Sequence, residues 1–160
     1  MYFENGALAR TLAGAYQVSH WYVEPVVAGK ETGRNYSMHF VKFGGLAPAT
    51  RYTYRLKSGS ATGKWSKPYT FRSARPPPAT AIGLFGDIAV SQFNSFGNLL
   101  ADCESGRIDA FVLMGDHAYN LGDVDDHRGD AYMNAMQPLL ATCPWIPVIG
   151  NHEVSTTSWT

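Results

Sequence analysis

Apolar and polar positions alternate along the first half of the chain and give way to continuous apolar runs in the second. Tyr52, Tyr54 and Leu56 alternate with Arg51, Thr53 and Arg55, a period of two that predicts a strand with one buried face. Residues 67–72 repeat the pattern, as do Tyr36, Met38 and Phe40 and, more loosely, Tyr16, Val18 and Val23. Residues 25–34 and 57–64 carry turn and loop chemistry. From Ala81 onward, the apolar runs 81–85, 110–114 and 145–149 predict buried strands. Between the first two, Phe93, Phe96, Leu100 and Cys103 recur at spacings of three and four, which predicts a helix over 90–103. A second helix is expected over 130–141, with Tyr132, Met133, Met136 and Leu140 inward and Pro138 kinking or shortening it.

The pattern divides the chain into an all-β segment, 1–75, a proline linker, 76–80, and a strand–helix–strand–helix–strand segment, 81–160. Charge follows the same division. The first 75 residues hold 11 Lys/Arg and 3 Asp/Glu, and the remainder 2 and 10, although the net charge is zero. The acidic half is where cations would bind. The basic charges are scattered among strand positions, so they read as a solvated sheet face and not as a nucleic-acid surface. At 45% hydrophobic and 16% charged residues the chain is globular. No run is long and apolar enough to span a membrane, and the first residues do not form a signal peptide. Cys103 and Cys143 are too few for a disulfide framework and read as buried free thiols. Asn35-Tyr36-Ser37 is a candidate glycosylation sequon.

Chemistry concentrates where the three apolar runs stop. Each ends at a glycine followed at once by a metal-competent group: Gly86-Asp87, Gly115-Asp116 and Gly150-Asn151. In parallel sheets, ligands bind outside the carboxyl ends of the strands, so Asp87, Asp116 and Asn151 should converge on one crevice. Tyr119 follows three residues after Asp116, and His152-Glu153 follows Asn151. His117 has no evident ligand role, and His20 and His39 read as strand residues. Asp123, Asp125, Asp126 and Asp130 lack the Gly and Glu of a calcium loop and read as a solvated loop.

Gly115-Asp116-x-x-Tyr119 and Gly150-Asn151-His152-Glu153, after Gly86-Asp87, resemble the calcineurin-like metallophosphoesterases, and Tyr119 narrows the likeness to the purple acid phosphatases. Leu46-Ala47-Pro48-Ala49-Thr50-Arg51-Tyr52 is similar to a signature of fibronectin type III sandwiches, in which the tyrosine hydroxyl reaches back to the chain. The resemblance implies an incomplete fibronectin-like β-sandwich ahead of the N-terminal, βαβαβ part of an α/β metallophosphoesterase domain. It implies acid hydrolysis of phosphate monoesters at a binuclear centre of Fe(III) and a divalent ion, Zn, Mn or Fe. Asp87, Asp116 and Tyr119 would take the Fe(III), Asp116 bridging, and Asn151 the divalent ion. His152 would contact the phosphate and protonate the leaving alkoxide, with Glu153 orienting it. The implied partner is a small phosphate ester, with no nucleic acid and no membrane, in a secreted or vacuole- or lysosome-like setting.

Two departures temper these expectations. Ala89 stands where the family has a glycine, and the sequence given stops eight residues after His152, before the family's further histidine motifs. Turnover by the 160-residue chain alone is therefore not expected, and its sheet is expected to carry uncovered apolar surface. The alternatives are an inactive metal-binding or interaction fragment, and a nucleotidase or phosphodiesterase of the same superfamily.

Overall fold

Tyr52 anchors the first unit. Its ring is buried against Phe71, with centroids 5.7 Å apart, and its hydroxyl accepts a hydrogen bond from the Ala47 N–H at 2.8 Å. The corner anticipated from residues 46–52 is thus present. The structure, a computed structural model, describes residues 2–4, 7–10, 17–18, 38–39, 41, 43–57, 62–88, 94–121 and 127–153. Strands β1 (Tyr2–Glu4), β2 (Ala7–Arg10), β5 (Arg51–Tyr54) and β6 (Tyr69–Arg72) form an antiparallel sheet in the order β2-β1-β5-β6. Strands β3 (Gln17–Val18) and β4 (Met38–His39) pair separately. These small sheets carry the β character expected of the first segment. The periodicity gave no sign of β1, whose pairing with β5 is long-range, or of β2, which pairs with β1. Leu56, expected to be buried, lies beyond the end of β5 and is exposed. His20, Asn35 and Asp123, Asp125 and Asp126 lie outside the described residues.

The second unit contains β7 (Ile82–Phe85), α1 (Phe96–Ser105), β8 (Ala110–Met114), α2 (His127–Leu140) and β9 (Trp145–Val148). The three strands are parallel in the order β7-β8-β9. Phe111, Leu113 and Leu139 are fully buried, and Phe85, Trp145 and the helices pack around them. Each such burial stabilises by about 1.5–3 kcal/mol. The opposite face of the sheet, with Ile82, Leu84, Met114, Ile146 and Val148, is open to solvent. Period-two alternation sends these side chains away from the helices.

Both helices depart from expectation at their ends. Asn94 and Ser95 form a turn, so α1 begins at Phe96, and it runs past Cys103 until Gly106, at φ +73°, stops it in the left-handed conformation. Phe93 lies outside the described residues. Helix α2 starts earlier, at His127, and continues through Pro138 to Leu140. Its inward stripe is Tyr132, Met136 and Leu139, while Met133 is exposed. At 100° per residue, Leu139 stays in line with Tyr132 and Met136, and Met133 turns away.

The basic charges of the first unit are not all solvated. Arg51 Nη2 donates to Glu104 O at 2.7 Å, Arg72 Nη1 to Gly106 O at 3.3 Å, and Arg75 Nη2 to Arg107 O at 3.1 Å. All three acceptors lie at the carbonyl end of α1, whose own last turn has no basic residue. Tyr54 Oη donates to Ala141 O at 2.9 Å. Asp109, 5% exposed, accepts from Arg75 Nε, from the Arg75 N–H and from the Ala81 N–H. It thereby holds the proline linker at both ends.

Burial alone would raise the Asp109 carboxyl, but the Arg75 side chain, the two N–H donors and the Arg75 charge outweigh it and lower it. A lowered folded value means that the stabilisation is complete above the ordinary carboxylate range. It is lost as pH falls through the lowered value. Arg75→Ala is expected to cost about 2–3 kcal/mol near neutral pH. That difference from wild type should shrink in urea titrations repeated as pH falls through the lowered Asp109 value.

Candidate active site

The three strand ends are joined by backbone hydrogen bonds. The Asp87 N–H donates to Gly115 O at 3.2 Å and the Ile88 N–H to Asp116 O at 3.1 Å, which locks the β7 exit onto the β8 exit. The β9 exit is held by Glu153. One of its oxygens accepts the Asp116 and Gly150 N–H groups, each at 2.8 Å, and the other accepts the His117 N–H at 2.8 Å. Expected to orient His152, Glu153 instead gathers backbone donors from two loops. Its two carboxylate oxygens match these adjacent N–H groups.

Close approach of the loops requires glycine at two positions. A Cβ on Gly115, at φ +84°, would lie 2.6 Å from the Gly150 Cα. A Cβ on Gly150 would overlap Asp116 Oδ1. Four other residues of these loops also hold left-handed backbone: Asp87 at φ 56°, Asp116 at 51°, Tyr119 at 52° and Asn120 at 70°. Tyr119 bears the largest cost, about 1–2 kcal/mol, because Asp and Asn tolerate this region better. Strain of this kind persists only where surrounding bonds over-determine it, and it clusters at functional sites.

The side chains converge across these loops. Tyr119 Oη donates to Asp87 Oδ1 at 3.0 Å. Asp116, between the two flanking exits, accepts the His152 N–H on Oδ1 at 3.1 Å. The rings of Tyr119 and His152 lie 4.7 Å apart. His152 Nδ1–H donates to Asn120 Oδ1 at 3.0 Å, because a carbonyl oxygen can only accept. Nε2 is then the ring atom available to a ligand. Asn151 is an exposed turn residue between Gly150 and His152. His117, by contrast, is a core residue. Its Nε2–H donates to Val148 O at 2.9 Å and its Nδ1 faces the Tyr132 hydroxyl. That phenol is pushed up to about 12 by burial and then by the Glu153 charge, so it stays a donor.

Asn120 was not singled out from the sequence, and the signal was slight: an Asn next to a motif tyrosine, in a residue type that tolerates positive φ. Ala89, in place of the family glycine, lies outside the described residues.

The donor set fits a hard cation. Partial burial raises the Tyr119 phenol, followed by its bond to Asp87 and by the charges of Asp87, Asp116 and Glu153. Carboxylates therefore oppose its ionisation, and a cation beside it would reverse that balance. Among the described residues, no three His, Cys, Asp or Glu side chains are grouped to hold a metal.

Hard oxygen donors thus gather at the carboxyl ends of the parallel sheet. Residues 80–159 match the family described as calcineurin-like phosphoesterase, and residues 9–73 match the purple acid phosphatase N-terminal domain. The chain belongs to the purple acid phosphatase family. It is 33% identical to human (Homo sapiens) acid phosphatase type 7 over 81% of this chain and 29% of that protein. It is 29% identical to the Arabidopsis thaliana Fe(3+)-Zn(2+) purple acid phosphatase 12 over 66% of this chain and 23% of that one. Two other Arabidopsis relatives, 28% and 26% identical, are named as probable inactive purple acid phosphatases. A purple acid phosphatase from yellow lupin (Lupinus luteus) seeds superposes with a TM-score of 0.56 at 25% identity, over 71% of this chain and 23% of that one. The chain thus spans about 29% or less of the length of these three proteins.

Proposed function

We propose that this site serves metal-dependent hydrolysis of phosphate monoesters at acid pH. The observation that carries the reading is the bond between Tyr119 Oη and Asp87 Oδ1, which joins two hard donors from different strand ends. Asp87, Asp116 and Tyr119 would hold Fe(III), and Asp116 with Asn151 the divalent ion. The relative named for Fe(3+) and Zn(2+) supports that choice. When bound, such a pair supplies Lewis acidity to a phosphoryl oxygen and to the attacking water. His152, held at Nδ1 by Asn120, offers Nε2 to the leaving oxygen as a proton donor. Glu153 keeps the Asp116 and Asn151 loops together. The ligand is a small phosphate ester, and the setting, by family, is secreted or vacuole-like.

The test is Fe(III) addition to this chain. A visible tyrosinate–iron absorption band is expected, and it should be absent in Tyr119→Phe. A coloured Tyr119→Phe protein would remove Tyr119 from the ligand set. Hydrolysis of p-nitrophenyl phosphate between about pH 4 and 7 should then be measured on the longest reading frame that carries this sequence. The inactive-named relatives favour a second reading, metal binding without turnover, and that assay separates the two.

A further inference from the structure

Cys103 and Cys143 lie 40 positions apart in the chain, yet they share one core. Cys103 occupies the last turn of α1, and Cys143 the turn between α2 and β9. Both are buried, 4% and 3% exposed, and their side chains face each other as a hydrogen-bonded pair. Backbone bonds fix both positions: the Gly106 N–H donates to Cys103 O at 3.1 Å, and the Cys143 N–H to Leu139 O at 2.9 Å. Paired thiols packed in one core, on the last turn of α1 and in the turn before β9, need little rearrangement to join. We propose that Cys103 and Cys143 are a disulfide-forming pair, cross-linked when the chain folds in an oxidising compartment.

The chemistry is thiol–disulfide exchange with a small-molecule disulfide as oxidant. The thiolate of one cysteine attacks one sulfur of the oxidant, forming a mixed disulfide and releasing one thiol. The other cysteine gives up its proton and attacks the protein sulfur of the mixed disulfide. The second thiol leaves. Two thiols of the protein are oxidised, and one disulfide of the oxidant is reduced to two thiols. In the closed core the oxidant cannot reach either sulfur, so the bond forms before the core closes or during its opening.

The cross-link would tie the end of α1 to the root of β9. The loop it closes contains β8, the 115–120 segment and α2. Constraint of a loop this long is expected to raise the unfolding midpoint by roughly 5–15 °C.

The test uses the whole 160-residue chain, unfolded in reductant and refolded with oxidised and reduced glutathione. After quenching in denaturant, thiol titration should find about zero thiols per chain. Without the oxidant it should find both. Peptide mapping should return one intramolecular Cys103–Cys143 species, and the oxidised form should melt higher than the reduced form. The oxidised–reduced difference is read on wild type, so it does not depend on a variant folding. Cys143→Ala should abolish the difference as a control. Two free thiols after refolding in oxidant, glutathione retained on either cysteine, or an oxidised form that melts no higher than the reduced one would each overturn the proposal.

Discussion

Glu153→Ala is expected to destabilise the second unit by about 3–5 kcal/mol. Three N–H groups, those of Asp116, His117 and Gly150, would lose a charged acceptor at once. His117 is buried and Asp116 half-buried, so water can compensate only in part. The loss should also release strain, because Asp116 holds positive φ with the help of that bond. Glu153→Gln separates charge from shape. An amide keeps one acceptor oxygen but turns an NH₂ group toward a donor, so it should recover less than half of the loss. The measurement is the urea midpoint of each variant. A Glu153→Ala midpoint within error of wild type would mean that the glycine contacts alone hold the β8 and β9 exits together.

His152→Ala is expected to lower kcat about 10²–10⁴-fold, the span of a positioned acid–base group. The assay requires the metal-loaded protein translated from the longest reading frame carrying this sequence. Metal content should stay near wild type, because the contacts that place His152 run through its own N–H to Asp116 and through Nδ1 to Asn120. Asn120→Ala should retain the imidazole but release its ring, so a smaller fall in kcat is expected, on the order of tenfold. Loss of both ions in His152→Ala would instead mark the ring as a ligand. An unchanged kcat would remove His152 from the chemistry.

The strand ends were legible because three apolar runs stop at Gly-Asp or Gly-Asn, and a parallel sheet brings such ends together. Asp87, Asp116 and Asn151, the three residues expected to converge, stand just past those ends, and Tyr119 and His152 join the first two through their own bonds. The role of Glu153 was not legible, since it depends on where backbone N–H groups point after the loops adopt positive φ. Asn120 was missed for the same reason. Helix faces were read to within one position: Met133 and Leu139 exchanged places because a 12-residue window left the rotation of α2 loosely set. The basic residues misled more. Arg51, Arg72 and Arg75 look like solvated sheet charges in a linear reading, and only the tertiary fold brings them to α1.

That arginine clasp bears on how the molecule should be divided. By composition the natural cut falls at prolines 76–78. A cut there would separate Arg75 from Asp109 and leave a nearly buried carboxylate without its guanidinium. It would also strip the carbonyl end of α1 of the cations it borrows from the other side. The covalent hinge and the energetic seam therefore do not coincide. A fragment meant to isolate the second unit should begin upstream of Ala47 and carry the 46–75 segment with it, arginines included.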